Sequence, residues 1–189
     1  LIGSYFVITY GILIAIILGF AILSIYFYST KIVDSGLGEF FVGVKGSMIV
    51  IGAFYIQSGE VNIESILAGM IVGTLSSLVL FIASFPDHDA DKSKGRKTLV
   101  IVVGKEKATK LFWIFPLFAY SIILIGISLN LFPLLSLICF LSLPLMIKSG
   151  LGLQKNYNSV SDLVPFMSSS LKSSRITGIL FVLSFLIPI

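Results

Sequence analysis

The chain has 189 residues, 57% of them hydrophobic and only 12% charged. Soluble domains carry about 25% charge, so an aqueous globule is excluded and the solvent for most of this surface is lipid. The net charge of +4 is not a nucleic-acid signal, because the basic residues cluster in loops beside apolar segments. One cysteine, Cys139, lies in an apolar run, which excludes an internal disulfide and gives no zinc pattern. The fold class is therefore all-α, a multi-pass transmembrane bundle. At ~20 residues per span plus loops, about six helices are expected.

The first expected span covers residues 5–29 and is uncharged, with Tyr26, Tyr28 and Lys31 at its end. Tyrosines there fit an interfacial belt, and a substrate contact is the alternative for Tyr28. The chain starts inside an apolar run with no basic region and cleavage site before it. No signal peptide is read, and further sequence upstream is expected. A second span, residues 37–57, holds Glu39 near its start and Lys45 deeper in. It is rich in glycine (Gly38, Gly43, Gly46, Gly52), and small residues let helices approach closely in lipid. Ionisable residues inside a span are functional candidates. Snorkelling to the interface suits Glu39 well. Lys45 lies about 12 Å deep if the helix begins at residue 37, at ~1.5 Å per residue, and either snorkels or faces a cavity.

The third span, residues 65–85, is uncharged and ends at Pro86, which breaks a regular helix. A dense polar island follows over residues 84–104. Its acids are Asp87, Asp89 and Asp91, and its bases are Lys92, Lys94, Arg96 and Lys97. Residues 111–147 are uncharged and too long for one span. Asn130 and Pro133 divide them into a fourth span over 111–129 and a fifth over 131–147. Residues 148–172 are polar and read as a loop with a short interfacial helix, and a sixth span begins near residue 173. The bases fall in three regions, residues 31–45, 92–110 and 148–175, while the loops at 58–64 and 129–132 have none. Six spans put all three basic regions on one side, which the positive-inside rule makes cytoplasmic.

Asp87 and Asp91 are four residues apart, a spacing that stacks them on one helix face. Two such carboxylates can share Mg²⁺, which takes few protein ligands and prefers phosphate oxygens for the rest. Asp89 points away from that face. Lys94, Arg96 and Lys97 are placed to reach phosphate oxygens, Arg96 by two-point contacts. From composition alone a second reading stands beside the metal–diphosphate site, namely an acid-then-base loop that caps helices and fixes topology. His88 reads as a solvated loop residue rather than a metal ligand.

The run from Phe85 to Val100, with Gly104 beyond it, resembles the second aspartate-rich motif of the UbiA superfamily of intramembrane prenyltransferases. The matching positions are Asp87, Asp91, Gly95, Arg96, Lys97, Thr98, Leu99 and Gly104. Residues 36–44, with Gly52 and Tyr55, also resemble that family. Within it, the combination is most similar to the 1,4-dihydroxy-2-naphthoate polyprenyltransferases of menaquinone synthesis. The family's earlier motif, N-x-x-x-D-x-x-x-D, has no counterpart here, and Lys45 is not a family position. The resemblance implies a single prenyltransferase domain over residues 1–189, corresponding to the last six of nine helices. It implies Mg²⁺-dependent transfer of a polyprenyl group from polyprenyl diphosphate to an aromatic acceptor. Asp87 and Asp91 are then the metal-holding catalytic residues. Lys45, Lys94, Arg96, Lys97, Glu39 and Tyr28 are the substrate-binding set. Other acceptors remain within the family reading: hydroxybenzoate, a glycerol phosphate lipid or haem. A transporter lined by Glu39 and Lys45 is the alternative of a different class, and a non-catalytic scaffold is a third.

Overall fold

A computed structural model of the chain describes residues 1–27 and 36–187. These residues form an all-helical bundle. In it, α3 (Gly38–Ser58), α4 (Ile63–Ala83), the stretch Lys105–Ser128 and the stretch Leu134–Asn156 are each long and apolar enough to cross a membrane. The last helix, α10 (Val160–Leu186), has 27 residues and carries Asp162, Lys172 and Arg175 in its first two thirds. The bundle departs from the expected spans in two places.

The first departure is at the N-terminal run. Instead of one span, α1 (Ile2–Tyr10) and α2 (Ile12–Phe27) meet at Gly11, whose φ of 80° breaks the helix. Only glycine enters this region without steric cost. The two helices fold back on each other: a Cβ placed on Gly3 would stand 2.9 Å from a Leu18 methyl. The turn is held from outside by Tyr55, whose hydroxyl donates to the Tyr10 carbonyl at 3.1 Å. Uniform apolarity hides such a break, because both faces of the run look alike.

The second departure is the polar segment at 148–172, which is helical rather than a loop. Helix α9 (Leu143–Asn156) runs on from the 3-10 helix Leu134–Ser142, and α10 starts after a three-residue turn at 157–159. Three of the segment's serines, Ser149, Ser169 and Ser170, are turned inward, whereas Ser161 and Ser168 stay exposed. Ser149 donates to the Phe166 carbonyl at 2.8 Å, and the Phe166 ring lies over Gly152, where a side chain would collide with it. Further along α10, Ser173 donates to the Ser142 carbonyl at 2.9 Å. The hydroxyls of Tyr120, Ser142 and Thr177 form a closed triangle of 2.7, 3.2 and 2.7 Å contacts. Ser136 and Ser184 pair at 2.8 Å one layer away. In lipid, apolar burial gives helices little reason to associate, so hydroxyl bonds and close packing carry more of that role.

The closest helix pair is α3 with α4. Gly43 and Gly46 of α3 face Gly73 of α4, Gly69 of α4 lies against the Ser47 backbone, and a Cβ on Gly46 would sit 3.0 Å from the Gly73 Cα. The crossing therefore brings backbone against backbone. Ser77 of α4 adds a bond to the Glu39 carbonyl at 2.6 Å. The split expected at Asn130 and Pro133 is present. Asn130 has φ 57°, Phe132 folds over Gly126 with its N–H on the Gly126 carbonyl, and Pro133 starts the 3-10 helix. The core gathers Phe81, Phe85, Val100, Phe112, Ile123, Met146 and Leu163 from α4 through α10.

Candidate site at the acid–base turn

The end of α4 leads directly into the polar island. Asp87 begins α5 (His88–Ser93), and the Asp91 N–H donates to the Asp87 carbonyl at 2.8 Å. The two aspartates therefore sit one turn apart on the same short helix, as their spacing predicts. Gly95, at φ 76°, reverses the chain. The Arg96 N–H then returns to the Asp91 carbonyl at 3.0 Å. This reversal lays the basic arm alongside the acidic turn. Arg96 Nη1 donates to Asp91 Oδ1 at 2.9 Å, with the Asp91 side chain only 14% exposed. Asp87, Lys94 and Lys97 are exposed beside this pair. The arm continues into α6 (Leu99–Val103), and Gly104, at φ 84°, makes the corner into α7 (Lys105–Leu111).

Asp89 takes no part in that face. It accepts from His88 Nδ1–H at 2.7 Å and lies 3.6 Å from Lys105 Nζ. The His88 contact and then the Lys105 charge hold its carboxyl below the usual carboxylate range. His88 is not the solvated residue expected. Its side chain is 14% exposed because α5 tucks it inward.

Glu39 departs furthest from its expected environment. It does not snorkel: it is 4% exposed, and neither carboxylate oxygen has a hydrogen-bond partner. The Leu99 N–H approaches the carboxylate without closing a bond of good geometry. The neighbouring Thr98 hydroxyl is also buried and unpartnered. Gly36 lies against the Lys97 carbonyl, so the start of α3 and the basic arm share one layer. Nothing in the local sequence signals this contact, because the two segments meet only through the tertiary fold.

Lys45 lies on a different side of α3. It is exposed and lines a recess of about 340 Å³ with Ser24, Ile25, Phe41 and Val42. Tyr28 lies outside the described residues. Among the described residues no three His, Cys, Asp or Glu side chains converge as a metal cluster. The donor set of the acidic turn is thus two carboxylates, one of them already sharing an oxygen with Arg96. Mg²⁺ is commonly held by one or two carboxylates with water and phosphate oxygens completing the shell, so these two residues fit half of such a site.

Together the fold and the turn define a helical membrane protein with an acid–base turn at one end of its bundle. The UbiA prenyltransferase family model matches residues 1–171, and the chain belongs to that family. It is 28% identical over 155 residues to the 1,4-dihydroxy-2-naphthoate octaprenyltransferase of Bacillus subtilis (strain 168), covering 79% of this chain and 48% of that one. It is 29% identical over 157 residues to the Escherichia coli (strain K12) protein of the same name, covering 78% and 48%. The chain spans about half the length of these curated relatives. No solved structure matches it.

Proposed function

We propose that this chain supplies the diphosphate-binding end of an enzyme that transfers a polyprenyl group from polyprenyl diphosphate to an aromatic acceptor, with 1,4-dihydroxy-2-naphthoate as the acceptor. The observation that carries this reading is the folded-back turn. Asp87 and Asp91 lie one helical turn apart, and Gly95 brings Arg96 against Asp91, with Lys97 next in the same exposed arm. The names of the two relatives supply the acceptor.

In the reaction, the bond from the allylic carbon to the diphosphate oxygen breaks and its electron pair leaves with the diphosphate. A ring carbon of the acceptor forms the new bond and the ring loses a proton. The enzyme's task is to stabilise charge growing on the leaving group. Lys94, Arg96 and Lys97 supply the cations, and Arg96 is oriented by its contact with Asp91. Asp87 and Asp91 are the residues that would hold Mg²⁺, which supplies Lewis-acid neutralisation of the phosphate oxygens. Lys45, Glu39 and Tyr28 complete the proposed substrate-binding set. The apolar helices keep water from the allylic centre. The island lies on the cytoplasmic face of the cell membrane in this reading, because the loop at 58–64 at the opposite end of α3 and α4 has no base.

The transporter alternative requires Glu39 and Lys45 to line one path. They do not: Glu39 is buried toward Leu99 and Ser77, and Lys45 opens toward α2. The test is prenyl transfer by the complete protein. Asp87→Ala and Asp91→Ala are each expected to lower Mg²⁺-dependent kcat by at least about a hundredfold. Retained activity in either variant contradicts the metal-holding role.

A further inference from the structure

Among the described residues, Ser24 differs from several intramembrane hydroxyls of the N-terminal half. Ser47, Thr74, Ser76 and Ser84 each donate back to the carbonyl four residues earlier in their own helix. That is the usual resting place of a helical hydroxyl. Ser24 lies in α2, is 8% exposed, and its hydroxyl oxygen is buried with no partner. A buried hydroxyl with nothing to bond is costly and asks for a partner such as a water, an ion or a bound group; Thr98, Ser170 and Ser174 are in the same state, but Ser24 is the one that lines a recess with a lysine.

The residue opposite it has the complementary deficit. Lys45 is seven residues into α3 from Gly38, about 10 Å along the axis at ~1.5 Å per residue. It forms no ion pair among the described residues, and its neighbours in the recess are Ile25, Phe41 and Val42. An ammonium in an apolar wall calls for an anion or a water-filled cavity. One wall of the recess is itself a flat platform: the Phe41 ring lies parallel to Phe20, at 6.0 Å between centres and 3° between planes. The volume of about 340 Å³ sits at the lower end of small-molecule sites, roughly 300–1,000 Å³. That suits a one- or two-ring ligand and not a long isoprenoid.

We propose that the recess between α2 and α3 is the subsite for an aromatic carboxylate acceptor, with Lys45 pairing with its carboxylate, Ser24 bonding an oxygen substituent and Phe41 flanking the ring. This deepens the transfer reaction proposed above and rests on it. The polyprenyl diphosphate already has its own cations at Lys94, Arg96 and Lys97. One ammonium with one hydroxyl in an apolar slot is the complement of a flat acid bearing oxygen substituents. The same ammonium would also suit the phosphate of an anionic lipid headgroup, and the experiment separates the two.

The complete enzyme is assayed with a polyprenyl diphosphate and 1,4-dihydroxy-2-naphthoate, with each substrate varied in turn. Lys45→Met is expected to raise the acceptor KM about tenfold or more, with the KM for polyprenyl diphosphate unchanged within twofold. Lys45→Arg restores most of the loss, and Ser24→Ala raises the acceptor KM by a smaller factor. With 1,4-naphthalenediol, which lacks the carboxylate, wild type and Lys45→Met are expected to perform alike. Two results overturn the proposal while leaving prenyl transfer intact. One is an unchanged acceptor KM in Lys45→Met. The other is an effect of Lys45→Met seen only as altered dependence on phosphatidylglycerol in the vesicles, which would assign the recess to a lipid headgroup. A wild-type enzyme that prenylates no aromatic acid overturns both this proposal and the function it rests on.

Discussion

At the scale of single residues, the three aspartates of the island separate by geometry. Asp87 and Asp91 share a helix turn, whereas Asp89 is taken up by His88 and Lys105. Asp89→Asn is therefore expected to keep prenyl transfer within about threefold of wild type in the same assay where Asp87→Ala loses it. A loss as large as that of Asp87→Ala would contradict the assignment. Glu39 gives a second expectation. A buried carboxylate with no partner carries a desolvation cost that an isosteric amide avoids. Glu39→Gln is expected to leave the thermal unfolding midpoint unchanged or raised, and to lower activity if the carboxylate contacts substrate. A clear fall in the midpoint would mean that the charge is compensated in the folded protein. The pairing of Asp87 with Asp91 was legible from spacing alone, because four residues is a fixed angular relation on a helix. The burial of Glu39 and the unmet hydroxyl of Ser24 were not, since each depends on segments distant in sequence.

At the scale of elements, two devices hold the bundle, and they differ in how far the sequence shows them. The glycines of α3 pointed to close approach in lipid. Their partner on α4, Gly73, becomes evident only when the two helices cross. A Cβ on Gly73 would collide with the Gly43 carbonyl and the Ser47 hydroxyl. Gly73→Ala is thus expected to destabilise by about 1–3 kcal/mol, as for overpacked cores. Gly178→Ala in α10, where a Cβ meets nothing within 4 Å, is expected to be neutral or slightly stabilising. Unfolding midpoints in detergent compare the two directly. The second device is the hydroxyl triangle of Tyr120, Ser142 and Thr177. Thr177→Val keeps the shape but removes its hydroxyl from both neighbours. A loss of about 1–2 kcal/mol is expected, at ~0.6 kcal/mol or more per interhelical bond. The serine-rich stretch before residue 172 reads as a loop because polar composition in water signals exposure. In a membrane bundle part of the same stretch turns inward, and Ser149 bonds the neighbouring helix at Phe166.

At the scale of the whole molecule, the described residues form a set of apolar helices with a polar cap at one end. Helix α4 delivers Asp87 and Asp91, Gly95 returns Arg96 to meet them, and Gly104 sends the chain back into the bundle. Both glycines occupy the left-handed φ region, which accounts for glycine in the motif at those two positions. The start of α3 packs on the same cap through Gly36 and Glu39. All-α class, multiple spans and the location of the cap were readable from hydropathy and charge. The N-terminal hairpin was not, because in a run this uniformly apolar a lone glycine looks like any other small residue.

The most direct test of the central claim is equilibrium binding of a non-hydrolysable polyprenyl diphosphate analogue to the complete protein, titrated with and without Mg²⁺. The account predicts binding that strengthens at least tenfold with Mg²⁺ in the wild type, with that gain lost in Asp87→Ala and Asp91→Ala. Binding that ignores Mg²⁺, or that keeps the full gain in both variants, would contradict it.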